Sequence, residues 1–299
     1  MDKLQTMKVF VRVAEAASFT RAAEGLGLPK ATISSAVQEL ESSLGTRLFH
    51  RTTRKVQLTQ DGTIFFERCK DLLSDVEDIE TMFVQGTTNI TGRIRVDMSA
   101  GMAKSLVLPR LPEFLKEFPG VQVEVSSTDR KVDLIREGFD CVIRVGTLED
   151  SGLIARHLGN LTLVNVASPE YIKKFGRPKK IEDLDEHQMV HYSPTLGMKP
   201  FGFEYFDGEK YVSRAVAGPV TVNNSEAYTA ACLAGLGIIQ TPLVGMQSYM
   251  DEGKLIEVLP KLRAEAMPVS LLYPHRRNLA RRVQIFMEWV EKIMKDYIT

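Results

Sequence analysis

The stretch "AASFTRAAEGLGLPKATISSAVQELESSLG", residues 16–45, decides the fold of the first part of the chain. It reads as two short helices, built largely from small residues, with a brief break between them. Ser18 is placed to cap a helix that starts at Phe19 and runs through Ala22, Ala23 and Leu26 to Gly27. Pro29 falls where a first helical residue is favoured. The second helix carries Ile33, Val37, Leu40 and Leu44 at steps of four, three and four, and Gly45 ends it. Ala23, Gly27 and Ile33 are spaced like the three structural positions of a helix-turn-helix. The alanine allows a close crossing, the glycine makes the turn and the isoleucine plugs the space between the helices.

The outward face of the second helix carries Lys30, Ala31, Thr32, Ser34, Ser35 and Gln38. These are short or polar side chains with little negative charge, suited to a helix that enters a major groove. The plainer alternative is a solvated face on a small helical hairpin. Before this hairpin, Leu4, Met7, Val11 and Ala14 form a helical stripe. After it, "RLFHRTTRKVQLT" (residues 47–59) reads as a β-wing. There Arg51, Thr52, Arg54 and Lys55 form a basic turn suited to phosphate oxygens.

Charge supports a local rather than a global anion-binding surface. The 299 residues have no net charge. Residues 1–60, however, hold nine Lys/Arg against five Asp/Glu, a net of +4, and residues 61–90 hold two against seven, a net of −5. Phe65, Cys69, Leu72, Val76, Ile79 and Phe83 follow with steps of four, three, four, three and four. So strict a seam fits a helix that pairs with another helix, here a dimerisation helix, although packing on its own domain is the alternative. "QGTTNITG" (residues 85–92) reads as a linker. The expected division is 1–59 for the winged helix-turn-helix, 60–91 for the dimerisation helix and hinge, and 92–299 for a second domain.

From residue 93 the pattern becomes that of alternating strands and helices: "RIRVDMSA", "VQVEVSS", "CVIRVG", "LTLVNVAS", "MVHYS", "VTVNN" and "VSLLYP" as strands. This predicts βαβ units and a largely parallel sheet. A last helix places Leu279, Val283, Phe286, Val290, Ile293 and Tyr297 on one stripe.

Other chemistries find little support. There is no GxSxG or SxxK motif, and Gly235 and Gly237 lack the third glycine of a dinucleotide loop. His187 and His191 stand four apart without an HExxH, so no metal site is expected, nor any cofactor or enzyme activity. Cys69, Cys141 and Cys232 are far apart and read as small buried hydrophobes. No apolar run approaches the length of a membrane span, and the expected compartment is the cytoplasm.

The block from "FVRVAEAASFTRAAEGLGLPKATISSAVQELESSLGTRLFHRTTRKVQLTQDG" resembles the N-terminal signature of LysR-type transcriptional regulators. "IREGFDCVIRVG", "ASPEYIKKFG" and "ACLAGLGIIQTP" are similar to that family's effector-binding domain, so the likeness spans nearly the whole chain. It implies a winged helix-turn-helix, a long linker helix pairing two subunits, and a two-lobed ligand domain like a periplasmic binding protein. The lobes would be 92–161 with 268–299, and 162–267. It also implies homodimers, commonly tetramers, on interrupted inverted repeats in promoter DNA, with RNA polymerase as a further partner. Ser35 departs from the arginine common in relatives, and Leu28 from their usual Ser, which leaves the operator sequence open.

In such a domain a ligand binds at the carboxyl ends of strands. Those ends are Ser99, Ala100, Gly101 and Met102, then Thr128 and Arg144 with Val145, in one lobe. In the other they are His191, Asn223, Asn224, Thr241 and Pro242. Hydroxyls and free N–H groups at helix starts, with Arg144 as a cation, suggest a small organic anion or an aromatic metabolite as effector. A ligand-binding protein without DNA-regulatory activity is the alternative function. Ser225 as a cap, and Arg144 as a structural ion pair, are the plainer alternatives at those positions.

Overall fold

The computed structural model describes residues 1–51, 56–81, 90–148, 152–274 and 279–299. The chain forms two compact units, residues 1–87 and 88–299.

In the first unit α1 (Lys3–Ala16), α2 (Phe19–Leu26) and α3 (Lys30–Leu44) precede a two-stranded antiparallel wing, β1 (Phe49–Arg51) and β2 (Val56–Leu58). The long helix α4 (Gln60–Thr81) follows. Ser18 caps α2 as expected, its hydroxyl accepting from the Arg21 N–H. Gly27 takes φ +63°, a left-handed setting that glycine adopts at little cost, and the Leu28 N–H then closes on the Ala23 carbonyl at 3.1 Å. Pro29 is the N-cap of α3 rather than its first helical residue, and the Ile33 N–H bonds to its carbonyl. Gly45 ends α3 at φ +68°.

The core of this unit joins Val9, Phe10 and Val13 to Ala22, Ala23, Ile33 and Val37, with Leu48 and Phe49 from the wing. The stripe expected on α1 is borne out at Val11, which is buried, and at Met7 and Ala14, which pack on this core, and is corrected at Leu4. Leu4 is 40% exposed, while Val9, Phe10 and Val13 are wholly buried. The Phe10 ring lies 5.1 Å from Phe49 and 5.2 Å from Phe65, and these distant contacts turn the helix.

In the second unit a five-stranded mixed sheet has the order β4-β3-β5-β14-β6. It is formed by β3 (Thr91–Met98), β4 (Gly120–Ser127), β5 (Cys141–Val145), β6 (Ile154–Leu161) and β14 (Met267–Tyr273). α5 (Ala100–Met102) continues through a π-turn at Ala103–Val107 into α6 (Leu108–Glu117), and the short α7 is Leu134–Glu137. α11 (Arg281–Met294) packs on this sheet through Val283, Phe286, Val290 and Ile293, as its stripe predicted, whereas Tyr297 at the end of the stripe is exposed.

The second lobe holds β7 (Leu163–Ala167), α8 (Pro169–Phe175), β8 (Val190–Tyr192), β9 (Phe203–Phe206), β10 (Tyr211–Arg214) and β11 (Val220–Val222). It also holds α9 (Ser225–Leu233), β12 (Ile239–Pro242), α10 (Gln247–Asp251) and β13 (Ile256–Glu257). Its sheet runs β12-β7-β13, and β8 pairs with β11.

The expectation of a largely parallel sheet is corrected. β3 pairs in parallel with β4 and β5, but β14 runs antiparallel to β5 and β6, and β7 is antiparallel to both its neighbours. The late strand returns from the second lobe into the middle of the first sheet, a long-range pairing that strand patterns do not encode. The β9–β10 hairpin and β6 also escaped the sequence reading.

Candidate DNA-reading face and effector cleft

On α3 the buried side holds Ile33, Ala36, Val37 and Leu40 against α1 and α2, so the remaining face is fixed outward. Lys30, Ala31, Ser35 and Gln38 are exposed there, with Thr32 and Ser34 half-buried beside them. All six expected reading residues therefore share the side of α3 away from the core. The wing is tied to α3 by Glu41, whose carboxylate accepts the Leu48 and Phe49 N–H groups at 2.8 and 3.1 Å. Thr59 joins wing to α4. Its hydroxyl donates to the Arg47 carbonyl and accepts the Gly62 N–H. Arg51 ends β1. Thr52, Arg54 and Lys55 lie outside the described residues, as does Phe83.

The dimerisation seam is corrected along its first half. Phe65 and Cys69 pack into the core of their own unit, Cys69 at 2% exposure and joined there by Leu73. Leu72 and Ile79 remain 41% and 62% exposed. The heptad register hid this because Leu73 sits off the seam yet faces the unit's own core.

In the second unit Gly101 of the expected set meets Ser225 across the lobes, and several of the other expected residues are engaged within their own lobe. Asp97, wholly buried near the end of β3, accepts from the Arg144 guanidinium at 2.6 Å, the Ser126 hydroxyl at 2.7 Å and the Thr128 hydroxyl at 3.0 Å. Arg144 is thus a structural ion pair, and Thr128 spends its proton on Asp97. Ser99 caps α5, its hydroxyl accepting from the Met102 N–H at 3.4 Å. The Ala100 N–H donates to Asp129 at 3.0 Å and the Gly101 N–H to the Ser225 hydroxyl at 2.9 Å. Val145 follows Arg144 at the end of β5 and pairs with Val269.

Across the cleft, Asn224 caps α9 by accepting the Ala227 N–H at 2.8 Å, so Ser225 is the first helical residue and not the cap. Asn223 is exposed before it. The Thr241 and Pro242 backbones pair with Val164 and Leu163 of β7. His191 is buried against Gly218, and desolvation holds its imidazole below the usual range. Alternation along β8 turns its neighbour Tyr192 the other way. Burial, aided by the Asp129 charge, pushes the Tyr192 phenol up to about 12. Tyr192, rather than His191, is therefore the β8 side chain on the Asp129 side, and its ring meets Tyr228 edge-on at 5.7 Å.

Sequence reading missed Asp97, Asp129, Lys104 and Tyr228, while Tyr192 falls within the His191-Tyr192-Ser193 strand end that it marked. One signal was present: Asp129 follows Ser126-Ser127-Thr128 directly, at a strand end already marked. Among the described residues no group of three or more His, Cys, Asp or Glu is placed to hold a metal, and no helix is long and apolar enough to cross a membrane.

A winged helix-turn-helix joined to a two-lobed α/β domain defines a transcriptional regulator that reads DNA with one unit and a small molecule with the other. The chain belongs to the LysR-type transcriptional regulators. Residues 4–63 match the bacterial regulatory helix-turn-helix of the lysR family, and residues 88–295 match the LysR substrate binding domain. The chain is 49% identical to the HTH-type transcriptional regulator YhjC of Escherichia coli (strain K12), over 100% of both chains. It is 38% identical to an HTH-type transcriptional repressor of Pseudomonas aeruginosa (strain UCBPP-PA14), covering 99% of this chain and 93% of that one. Among solved structures, CrgA, a LysR-type transcriptional regulator from Neisseria meningitidis, aligns at a TM-score of 0.63. Its identity is 29%, and the match covers 97% of this chain and 98% of that one.

Proposed function

We propose that this regulator works as a homo-oligomer in the cytoplasm, bound to promoter DNA at an interrupted inverted repeat. The division into a reading unit (1–59), a pairing helix with hinge (60–91) and an effector domain (92–299) organises that action. The observation that carries the reading is the outward face of α3, with Lys30, Ala31, Ser35 and Gln38 exposed and no acid before Glu39. Ser34, Ser35, Gln38 and Lys30 reach base edges, while Arg51, Thr52, Arg54 and Lys55 of the wing grip phosphates. The exposed Leu72 and Ile79, with Val76 between them, form the part of α4 that pairs with a second copy. Tetramers and contact with RNA polymerase belong to the same proposal.

Of the two effector classes expected, the aromatic one finds more support. Tyr192, half-buried, supplies a ring and a hydroxyl, whereas the N–H groups expected to seat an anion already have partners; Tyr228 belongs to the core of the second lobe, and its hydroxyl accepts the Gln240 N–H at 3.3 Å. Binding shifts the equilibrium between two settings of the oligomer according to the effector's differential affinity for them.

The test is selection of duplexes from a random pool by the full-length protein, followed by affinity measurements across salt concentrations. The expected result is a pair of symmetric half-sites and a steep fall of affinity with salt. Retention of small molecules with no duplex selected would establish the alternative, a ligand-binding protein without DNA-regulatory activity. Melting against aromatic metabolites then identifies the effector class. A ligand at 100 times its Kd adds about 2.7 kcal/mol.

A further inference from the structure

Asp129 follows β4 in the first lobe, and its carboxylate reaches both lobes. One oxygen accepts the Ala100 N–H of the first lobe at 3.0 Å, and the other accepts the Ser225 N–H at the start of α9 in the second. The Gly101 N–H crosses to the Ser225 hydroxyl at 2.9 Å. Beside these, Lys104 from the π-turn pairs with Glu226 at 2.5 Å and donates to the Tyr249 hydroxyl at 3.4 Å. Gly245 of the second lobe lies against Ser105 so closely that a Cβ there would collide with it. The lobes are thus in contact at one edge of the cleft, and a carboxylate of the chain itself sits at the centre of that contact.

Two backbone N–H groups from the starts of two helical runs, converging on one carboxylate, are the arrangement by which proteins hold a free anion. Here the anion is tethered. We infer that Asp129 is an internal ligand: its carboxylate fills the seat between the lobes that an effector's carboxylate would take, and it holds the lobes together without one. This deepens the reading of the cleft as the effector site. A molecule reaching this end of the cleft meets a carboxylate and presents hydrogen-bond donors to it, while a carboxylic acid enters only by displacing Asp129. When the contact opens, water or a ligand's own groups take over as partners of the carboxylate and of the two N–H groups, and that exchange sets the net cost of undoing the latch.

The test is chemical rescue in the full-length protein. Asp129→Ala removes the internal anion and leaves the Ala100 and Ser225 N–H groups free. Its effector-domain melting point is expected several degrees below that of the unaltered chain. Sodium formate or acetate is expected to recover part of that loss, saturating with concentration, while sodium chloride of equal ionic strength does not. The unaltered chain is expected to show no difference between the formate and chloride series, because its seat is filled. In Asp129→Asn the amide occupies the space, so melting falls and formate gives no recovery. If Asp129→Ala does not fold, Asp129→Asn together with Ser225→Pro carries the test. Proline is tolerated at a first helical position and removes one of the two donors together with the hydroxyl that accepts the Gly101 N–H, so both variants are expected to melt below the unaltered chain, Ser225→Pro by more. Equal melting of the variants and the unaltered chain overturns the inference, as does an equal response of Asp129→Ala and the unaltered chain to formate. None of these readouts uses DNA or an effector, so a failure here is distinct from a failure of the regulator reading.

Discussion

Arg144 neutralises Asp97 inside the first lobe, with 2.6 Å between guanidinium and carboxylate, and the carboxylate has no exposure to solvent. The Ser126 and Thr128 hydroxyls complete the shell, so three elements, β3, β4 and β5, meet on one buried charge. Removing one partner of such a pair strands the other.

Arg144→Met is therefore expected to cost about 3–5 kcal/mol in the effector domain. Asp97→Asn with Arg144→Met should cost less than Arg144→Met alone, because no buried charge is left unpaired. Melting of these two variants and of Asp97→Asn alone, beside the unaltered chain, checks this. An additive double variant would show that the pair is not coupled.

The two kinds of DNA contact should separate by salt. Ser34→Ala with Gln38→Ala is expected to narrow the gap between specific and random duplexes. Arg51→Ala with Arg54→Ala should weaken both and reduce the salt slope by roughly 2. Affinity titrations at several salt concentrations distinguish them, and equal behaviour of the two pairs would refute the division of labour.

Gly62 near the start of α4 and Gly27 in the helix-turn-helix are needed for different reasons. A Cβ at Gly62 would strike the Leu48 carbonyl, whereas around Gly27 there is space and only φ is special. Gly62→Ala is expected to cost about 1–3 kcal/mol by overpacking the wing against α4. Gly27→Asn should be nearly neutral, since asparagine visits the left-handed region. Circular-dichroism melting of the two variants gives the order, and a larger loss at Gly27 would reverse the argument.

His187 gives the second lobe a pH dependence. Its ring bonds the Tyr171 hydroxyl at 3.0 Å, and desolvation holds the imidazole below its usual range, with Asp183 and Glu186 opposing only in part. The folded state therefore binds this proton less readily than the unfolded chain, whose histidines titrate near about 6.5. The stability due to the neutral ring is present above that pH and is lost as pH falls through it. The melting point should drop between pH 7.5 and 5.5, and less in His187→Asn. Identical pH profiles for the two proteins would contradict this.

What the local sequence legibly carried is what local physics decides. The caps at Ser18 and Gly45, the left-handed Gly27 and the small residues at the α2–α3 crossing depend on neighbours within a few positions, so residues 16–45 determined a helix-turn-helix and its outward face by themselves. The α11 stripe was legible for the same reason. Tertiary structure decided the rest. Whether Cys69 faces a partner or its own core depends on where Phe10 and Phe49 lie, which a heptad count cannot know. The direction of β14 depends on a strand entering from the other lobe. Above all, Ala100, Asp129 and Ser225 meet although Asp129 and Ser225 are 96 positions apart. Strand ends marked the place of a cleft, but a hydrogen bond is made at about 3 Å. Only the packed chain determined that the anion seat it offers is filled from within.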